Sequence, residues 1–174
     1  MPFFNCFNHY LKLSFFRASP EQTPVSLACA LKALILYIAV NLFLLDNQAL
    51  VLEVMTKVMI ELGLLTAFLY AGLRVTKKLK RFHQSFSSLI GVGLIVSLSS
   101  VLVYLVVSPE FFSIGEINQA VVYATLVLLI WNLSLISFIL QRSLEVSTLM
   151  AIALTCNYFI IFELLMITFF TPLS

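Results

Sequence analysis

Five long apolar runs dominate the chain, at residues 25–45, 49–73, 86–107, 117–140 and 146–170. A helix needs roughly 20 mostly apolar residues to cross a bilayer, and each run supplies that length. The runs are continuous rather than alternating, so they read as helices and not as barrel strands. Polar or turn-forming breaks separate them: "DNQ" at 46–48, "RVTKKLKRFHQS" at 74–85, "SPEFFSIGE" at 108–116 and "QRSLE" at 141–145. Pro109 and Gly115 mark the third break as a loop. The pattern predicts an all-α fold, a transmembrane bundle of five spans over 25–170 with a short outer tail at 171–174.

The first 24 residues carry a different pattern. On a helical wheel Phe3, Phe4, Phe7, Tyr10, Leu11 and Phe15 share one side, while Asn5, Asn8, His9 and Lys12 share the other. That is the pattern of an amphipathic helix lying flat in the headgroup region. Pro20 and Pro24 separate it from the first span. The segment lacks a basic region followed by a clean apolar core, so it does not read as a cleavable signal peptide.

Composition agrees with lipid as the main solvent. Of 174 residues, 61% are hydrophobic and 10% charged, and the mean hydropathy is +1.08. A soluble domain averages about 45–50% apolar and about 25% charged. The net charge of +2 is too small to argue for nucleic acid, and five cations between two membrane helices make a poor binding groove. The three cysteines, Cys6, Cys29 and Cys156, are odd in number and irregularly spaced, which argues against a disulfide framework.

Charge distribution sets the orientation. Arg74, Lys77, Lys78, Lys80 and Arg81 fall in one break, Lys12 and Arg17 in the amino-terminal segment, and Arg142 in the last break. The breaks at 46–48 and 108–116 contain no Lys or Arg. Cations in short loops mark the cytoplasmic side. The expectation is an amino terminus inside and a carboxyl terminus outside. Arg74, Lys77, Lys78, Lys80, Arg81 and Arg142 would fix this topology and contact anionic lipid headgroups.

Ionisable residues inside spans are rare and expensive, by about 3 kcal/mol each near the bilayer centre. Glu53, Lys57 and Glu61 follow at i, i+4 and i+8 along one stripe of the second span, with Glu61 near the midplane. Glu163 lies in the fifth span, at a depth that suggests a contact with Lys57. Lys32 lies a turn or two inside the first span, where it snorkels to the headgroups or pairs with an acid. Asn41, Asn132 and Asn157 should face protein. This charge network reads either as helix–helix glue, with paired or protonated groups, or as an ion relay centred on Glu61. Small residues add packing surfaces: Gly63, Ala67 and Ala71 on the second span, and Ser87, Gly91, Gly93 and Ser97 on the third.

No catalytic or cofactor motif is present: there is no H-E-x-x-H, G-x-S-x-G, phosphate-binding loop or C-x-x-C. Cys6 and His9 at i, i+3 are two ligands, where a structural metal site normally needs four. His83 reads as a solvated loop histidine, and Trp131 as a packing residue. No catalytic residue, cofactor or metal is expected.

Three segments carry a family resemblance: "RASPEQTPVS" before the first span, "KRFHQSFSSLIGVG" before the third, and "WNLSLISFILQRSLEVS" between the fourth and fifth. With five close spans and almost no tail, they resemble the Yip (Ypt-interacting-protein-like) family of small membrane proteins, in its bacterial inner-membrane branch. The matching residues are Arg81, Phe82, Gln84, Gly91, Trp131 and Arg142. The resemblance implies the architecture and the bacterial inner (cytoplasmic) membrane. Eukaryotic relatives bind small GTPases through a longer cytoplasmic region, which has no counterpart here. The sequence therefore points to a small non-enzymatic membrane scaffold or assembly partner, whose partners are the bilayer and a membrane protein or second copy. The alternative is an ion- or proton-coupled carrier using Glu53, Lys57, Glu61 and Glu163.

Overall fold

The computed structural model describes residues 3–24, 26–44, 51–106 and 119–170. Every regular element among them is helical: α1 (Phe3–Ser14), α2 (Leu27–Phe43), α3 (Val51–Val75), α4 (Phe82–Val106), α5 (Gln119–Leu144) and α6 (Thr148–Phe170), with 3-10 turns at Pro20–Gln22 and Leu79–Arg81. The breaks at 46–48 and 108–116 and the tail at 171–174 lie outside the described residues.

Four helices, α3 to α6, are long and apolar enough to cross a membrane. At about 1.5 Å per residue, the 25 residues of α3 exceed a hydrocarbon core of about 30 Å. The 17 described residues of α2 cover about 25 Å. Helices α4 and α5 run past the apolar limits into polar sequence, through His83 and Gln84 at one start and Gln141 and Arg142 at the other end. Apolar runs mark what lipid covers, and polar residues extend a helix beyond it at no penalty.

Three helices end with a left-handed residue that carries a side chain: Phe16 (φ 58°), Lys77 (φ 59°) and Glu145 (φ 54°). Each turn is closed by an N–H reaching back five residues: Arg17 to the Lys12 carbonyl at 2.8 Å, Lys78 to Leu73 at 2.7 Å, and Val146 to Gln141 at 3.3 Å. This is the Schellman closure, which usually takes glycine. A side chain there costs roughly 1 kcal/mol.

α4 is the central helix and touches α1, α2, α3 and α5. Its small residues serve close approach within the chain. Gly93 faces the Tyr37 ring, and a Cβ there would stand 3.4 Å from it. Ser97 accepts a hydrogen bond from Asn41 Nδ2 at 3.4 Å. By contrast Gly63, Ala67 and Ala71 are exposed on the outside of α3. Two buried clusters form, one around Leu69, Leu73, Leu135 and Ile139, the other around Tyr10, Ala33, Tyr37 and Leu94; Phe86 and Trp131 pack against both.

The amino-terminal segment is helical, as its pattern predicts, but it docks on the bundle and buries a different face. Cys6, Tyr10, Leu13 and Ser14 have 0% exposure, whereas Phe4 and Phe15 stay 76% and 61% exposed. The buried stripe follows i, i+4, i+7, i+8, and two of its members are polar or sulfur-bearing, which an apolar wheel overlooks. Cys6 is joined to Cys29 by a disulfide, contrary to the reading of the cysteine count. The spacing of 23 residues has no periodic signature, and only the fold brings the pair together. Tyr10 Oη and Ser87 Oγ lie 2.8 Å apart. His9 Nε2 lies 3.0 Å from Thr23 Oγ1, and Thr23 Oγ1 lies 2.7 Å from Ser88 Oγ. Trp131 Nε1 donates to the Ser14 carbonyl at 3.1 Å, so Trp131 is a packing residue that also caps α1.

Tyr10 lies flat on Gly91, where a Cβ would come within 2.3 Å of the ring. Alanine favours a helix over glycine by about 1 kcal/mol, but the clash outweighs this, since overpacking costs typically 1–3 kcal/mol. Gly91→Ala is therefore expected to lower the melting temperature in detergent and to speed tryptic cleavage after the already exposed Lys12 and Arg17, as α1 undocks and frays. An unchanged melt and digestion pattern would show that α1 does not depend on this contact.

Candidate functional site

The described structure holds two polar layers. The first gathers the 3-10 turn at Pro20–Gln22, the end of α3, the start of α4 and the end of α5 at one end of the bundle. Glu145 pairs with Lys78, and its other oxygen lies 2.8 Å from Arg81. Arg81 also reaches Glu21 at 3.2 Å and the Arg142 carbonyl at 3.5 Å. Lys78 Nζ donates to the Leu144 carbonyl at 3.3 Å, and Gln84 Nε2 to the Glu21 carbonyl at 3.3 Å. The Arg142 guanidinium lies 5.8 Å from the Phe138 ring. Glu21 and Glu145 were not singled out by sequence, because each is an isolated acid whose partners lie some 60 residues away. Cations at the ends of α3 and α5 also oppose the negative ends of those helix dipoles.

The expected topology residues thus divide. Lys78 and Arg81 are committed to acids, whereas Arg74, Lys77 and Lys80 are exposed. The segments 17–26, 80–93 and 131–147 contribute Glu21, Arg81, Gln84, Arg142 and Glu145 to this one cluster.

The second layer is deep in the bundle and centres on Glu61. Its Oε2 accepts a 2.7 Å hydrogen bond from the Tyr37 hydroxyl. Asn41 Nδ2 donates to the Tyr37 carbonyl at 2.9 Å. Glu61 lines a partly open cavity of about 220 Å³ whose wall is mixed, with Tyr37, Asn41, Ser97, Asn132 and Tyr158 among apolar residues such as Leu65, Val92 and Ile136. It also lines a more open pocket of about 600 Å³, with Asn41, Lys57, Phe162, Met166 and Phe170. The carboxyl therefore stands between a cavity of mixed lining, large enough for water, and a pocket between α2, α3 and α6. Tyr37 and Tyr158 were not anticipated, and Ser97 was expected only as a packing residue. The spacing of Tyr37 and Asn41, i and i+4 on one face, was the available signal.

The remaining charges on the apolar helices do not converge on Glu61. Lys57 pairs with Glu53 at 2.7 Å and lies 4.9 Å from the Phe170 ring centroid. The expected Lys57–Glu163 contact is not among the ion pairs of the described residues. Glu163 is exposed, because α6 buries the stripe Ala151, Thr155, Tyr158, from which position 163 is rotated away. Glu53 is one turn from Lys57 and needs no second helix. Asn157 is likewise exposed rather than facing protein, and Lys32 is exposed on the first turns of α2. Among the described residues no group of three His, Cys, Asp or Glu could hold a metal ion. Cys6 is engaged with Cys29 and His9 with Thr23, so neither is placed as a ligand.

No protein-family model matches the chain, and comparison with curated proteins and with solved structures gives no match either.

The end cluster has a pH signature. Lys78 and Arg81 hold the Glu145 carboxyl below the usual glutamate range, Lys78 foremost. A carboxyl lowered in the folded state contributes stability above the unfolded value, about 4.3, and that contribution is lost as pH falls through the folded value. Melting curves in detergent should fall as pH drops below about 4.3, and Glu145→Gln should shrink that acid-side slope while lowering stability at neutral pH. Equal slopes for both proteins would place the acid sensitivity elsewhere.

Proposed function

We propose that the chain is a five-span, non-enzymatic integral membrane protein that binds a proton or small cation at Glu61 and moves it through the membrane. The observation that carries this reading is the position of Glu61, which lines both a partly open cavity containing several polar side chains and a second, more open pocket. Intramembrane carboxyls that line cavities mark ion and proton pathways. Tyr37, Asn41, Ser97, Asn132 and Tyr158 give the cavity oxygen and amide partners for water or a hard cation.

The orientation we propose is amino terminus inside and carboxyl terminus outside, in a bacterial inner membrane of Yip-like type. Its support is the cation bias of the loops. Arg74, Lys77 and Lys80, exposed at the charged end, are then the residues for anionic headgroups. The cytoplasm keeps accessible thiols reduced, but Cys6 and Cys29 are only 0% and 3% exposed, so reductants reach them only when α1 undocks. Cysteine labelling from each side of the membrane should find position 77 cytoplasmic; labelling from the outside would reverse the assignment.

Reconstituted vesicles provide the functional test. A proton or monovalent-cation flux is expected that Glu61→Gln abolishes and Lys32→Ala leaves in place. Absence of flux for protons, Na⁺ and K⁺ alike would remove the reading.

A second reading, the scaffold or assembly partner, draws on the exposed ladder of Gly63, Ala67 and Ala71 on α3. Small residues let helix backbones approach closely, and at Gly63 an added Cβ would meet no atom within 4 Å. Purification in mild detergent should then yield a dimer or a co-purifying membrane protein that Ala67→Phe disrupts. A strictly monomeric protein without a partner would count against this reading.

A further inference from the structure

We infer that the pocket between α2, α3 and α6 is a binding site for an organic ammonium ion with an apolar body. This deepens the Glu61 reading above and rests on it for the role of the site, not for its chemistry. Four observations converge. First, Glu61 is the acid of the pocket without a cation: among the described residues its contact is the Tyr37 hydroxyl on Oε2, and no Lys, Arg or His pairs with it. Secondly, the cation that does line the pocket, Lys57, is neutralised by Glu53 at 2.7 Å. The group left without a basic partner to meet an incoming cation is therefore the Glu61 carboxyl.

Thirdly, the rest of the wall is apolar and aromatic, with Phe162, Met166 and Phe170 facing Glu61 and Lys57 across the opening. A metal cation would have to shed its water against such a wall with one carboxylate and one amide to replace it, whereas hard cations take six or more oxygens. An alkyl or aryl ammonium brings its own apolar surface, and burying that surface is favourable. The wall already shows the preference: Lys57 Nζ lies 4.9 Å from the Phe170 ring centroid, a cation–aromatic contact. Fourthly, the volume of about 600 Å³ falls within the range of roughly 300–1,000 Å³ typical of small-molecule sites, which combine an apolar lining with few polar groups.

The bound arrangement follows from these positions. The ammonium pairs with the Glu61 carboxylate, and the apolar body lies along Phe162 and Met166. Because Tyr37 also competes for Glu61, the ligand and the tyrosine share one carboxyl. An ammonium and a proton would likewise exclude each other there, which is the linkage an exchanger needs.

The test uses the full chain in lipid nanodiscs and calorimetric titration with 3-phenylpropyltrimethylammonium. The control ligand is its neutral analogue, in which carbon replaces the quaternary nitrogen. Wild type is expected to bind the cation and not the neutral analogue. Glu61→Gln should weaken binding at least tenfold, with Glu61→Asp restoring part of it. Met166→Trp, which fills the pocket while leaving every charge in place, should also weaken it at least tenfold. Equal binding of the two ligands, or binding indifferent to both Glu61→Gln and Met166→Trp, would overturn the assignment. No binding by wild type would overturn it too, even if the vesicles carry a Glu61-dependent flux. Glu61-dependent ammonium binding without any such flux would leave the pocket assignment standing and the transport reading fallen.

Discussion

A buried hydroxyl inside an apolar helical bundle finds no bulk water and must be satisfied by the protein. Three serines near the start of α4 meet that demand with three different parts of the chain. Ser85 Oγ bonds Ser143 Oγ of α5 at 2.7 Å, Ser87 pairs with Tyr10 of α1, and Ser88 pairs with Thr23 of the linker. All three are 0–3% exposed. Helices in lipid gain little from apolar burial against one another, so directional bonds of this kind fix their register. The order in which α1, the linker and α5 surround α4 depends on them, and so does the meeting of Glu21, Arg81 and Glu145 just beyond.

The two polar layers obey opposite rules. At the charged end the acids and bases are half exposed and interleaved, so each pair contributes little and the network contributes mainly position. At Glu61 the group is deep, its one described partner is a hydroxyl, and the nearest lysine is held by another acid. An arrangement built only for stability would pair Lys57 with Glu61, equally one turn away. The pairing with Glu53 instead leaves the Glu61 carboxyl open to the pocket.

The spans were legible because hydrocarbon thickness imposes a length on apolar runs, and α3 to α6 follow those runs closely. Helix ends were less so: α4 and α5 extend into polar sequence that lipid does not constrain. The stripe of Glu53, Lys57 and Glu61 was legible from i, i+4 spacing, and the Glu53–Lys57 pair with it. What the sequence could not disclose were pairings across distance. Cys6 with Cys29, Glu145 with Lys78 and Tyr37 with Glu61 each join different elements, and no local periodicity encodes which faces meet. The face of α1 was misassigned for a related reason. A wheel ranks positions by hydrophobicity, whereas the bundle selected Tyr10 and Ser14 for their hydrogen bonds and Cys6 for its partner.

One stripe of α2 connects the two ends of this description. Cys29, Ala33 and Tyr37 are buried at i, i+4 and i+8, and Asn41 continues the stripe one turn further. Cys29 is bonded to α1, Ala33 packs without exposed surface, Tyr37 donates to Glu61, and Asn41 lines both cavities. A helix transmits rotation and translation along its axis because its backbone bonds are closed within it. Tyr37 in turn stands against Gly93, where a Cβ would lie 3.4 Å from the ring, an ordinary contact distance. The docking of an amino-terminal helix and the hydrogen bond that occupies the intramembrane carboxyl are two contacts of one rigid element. A coupling between them needs no further pathway than α2 itself.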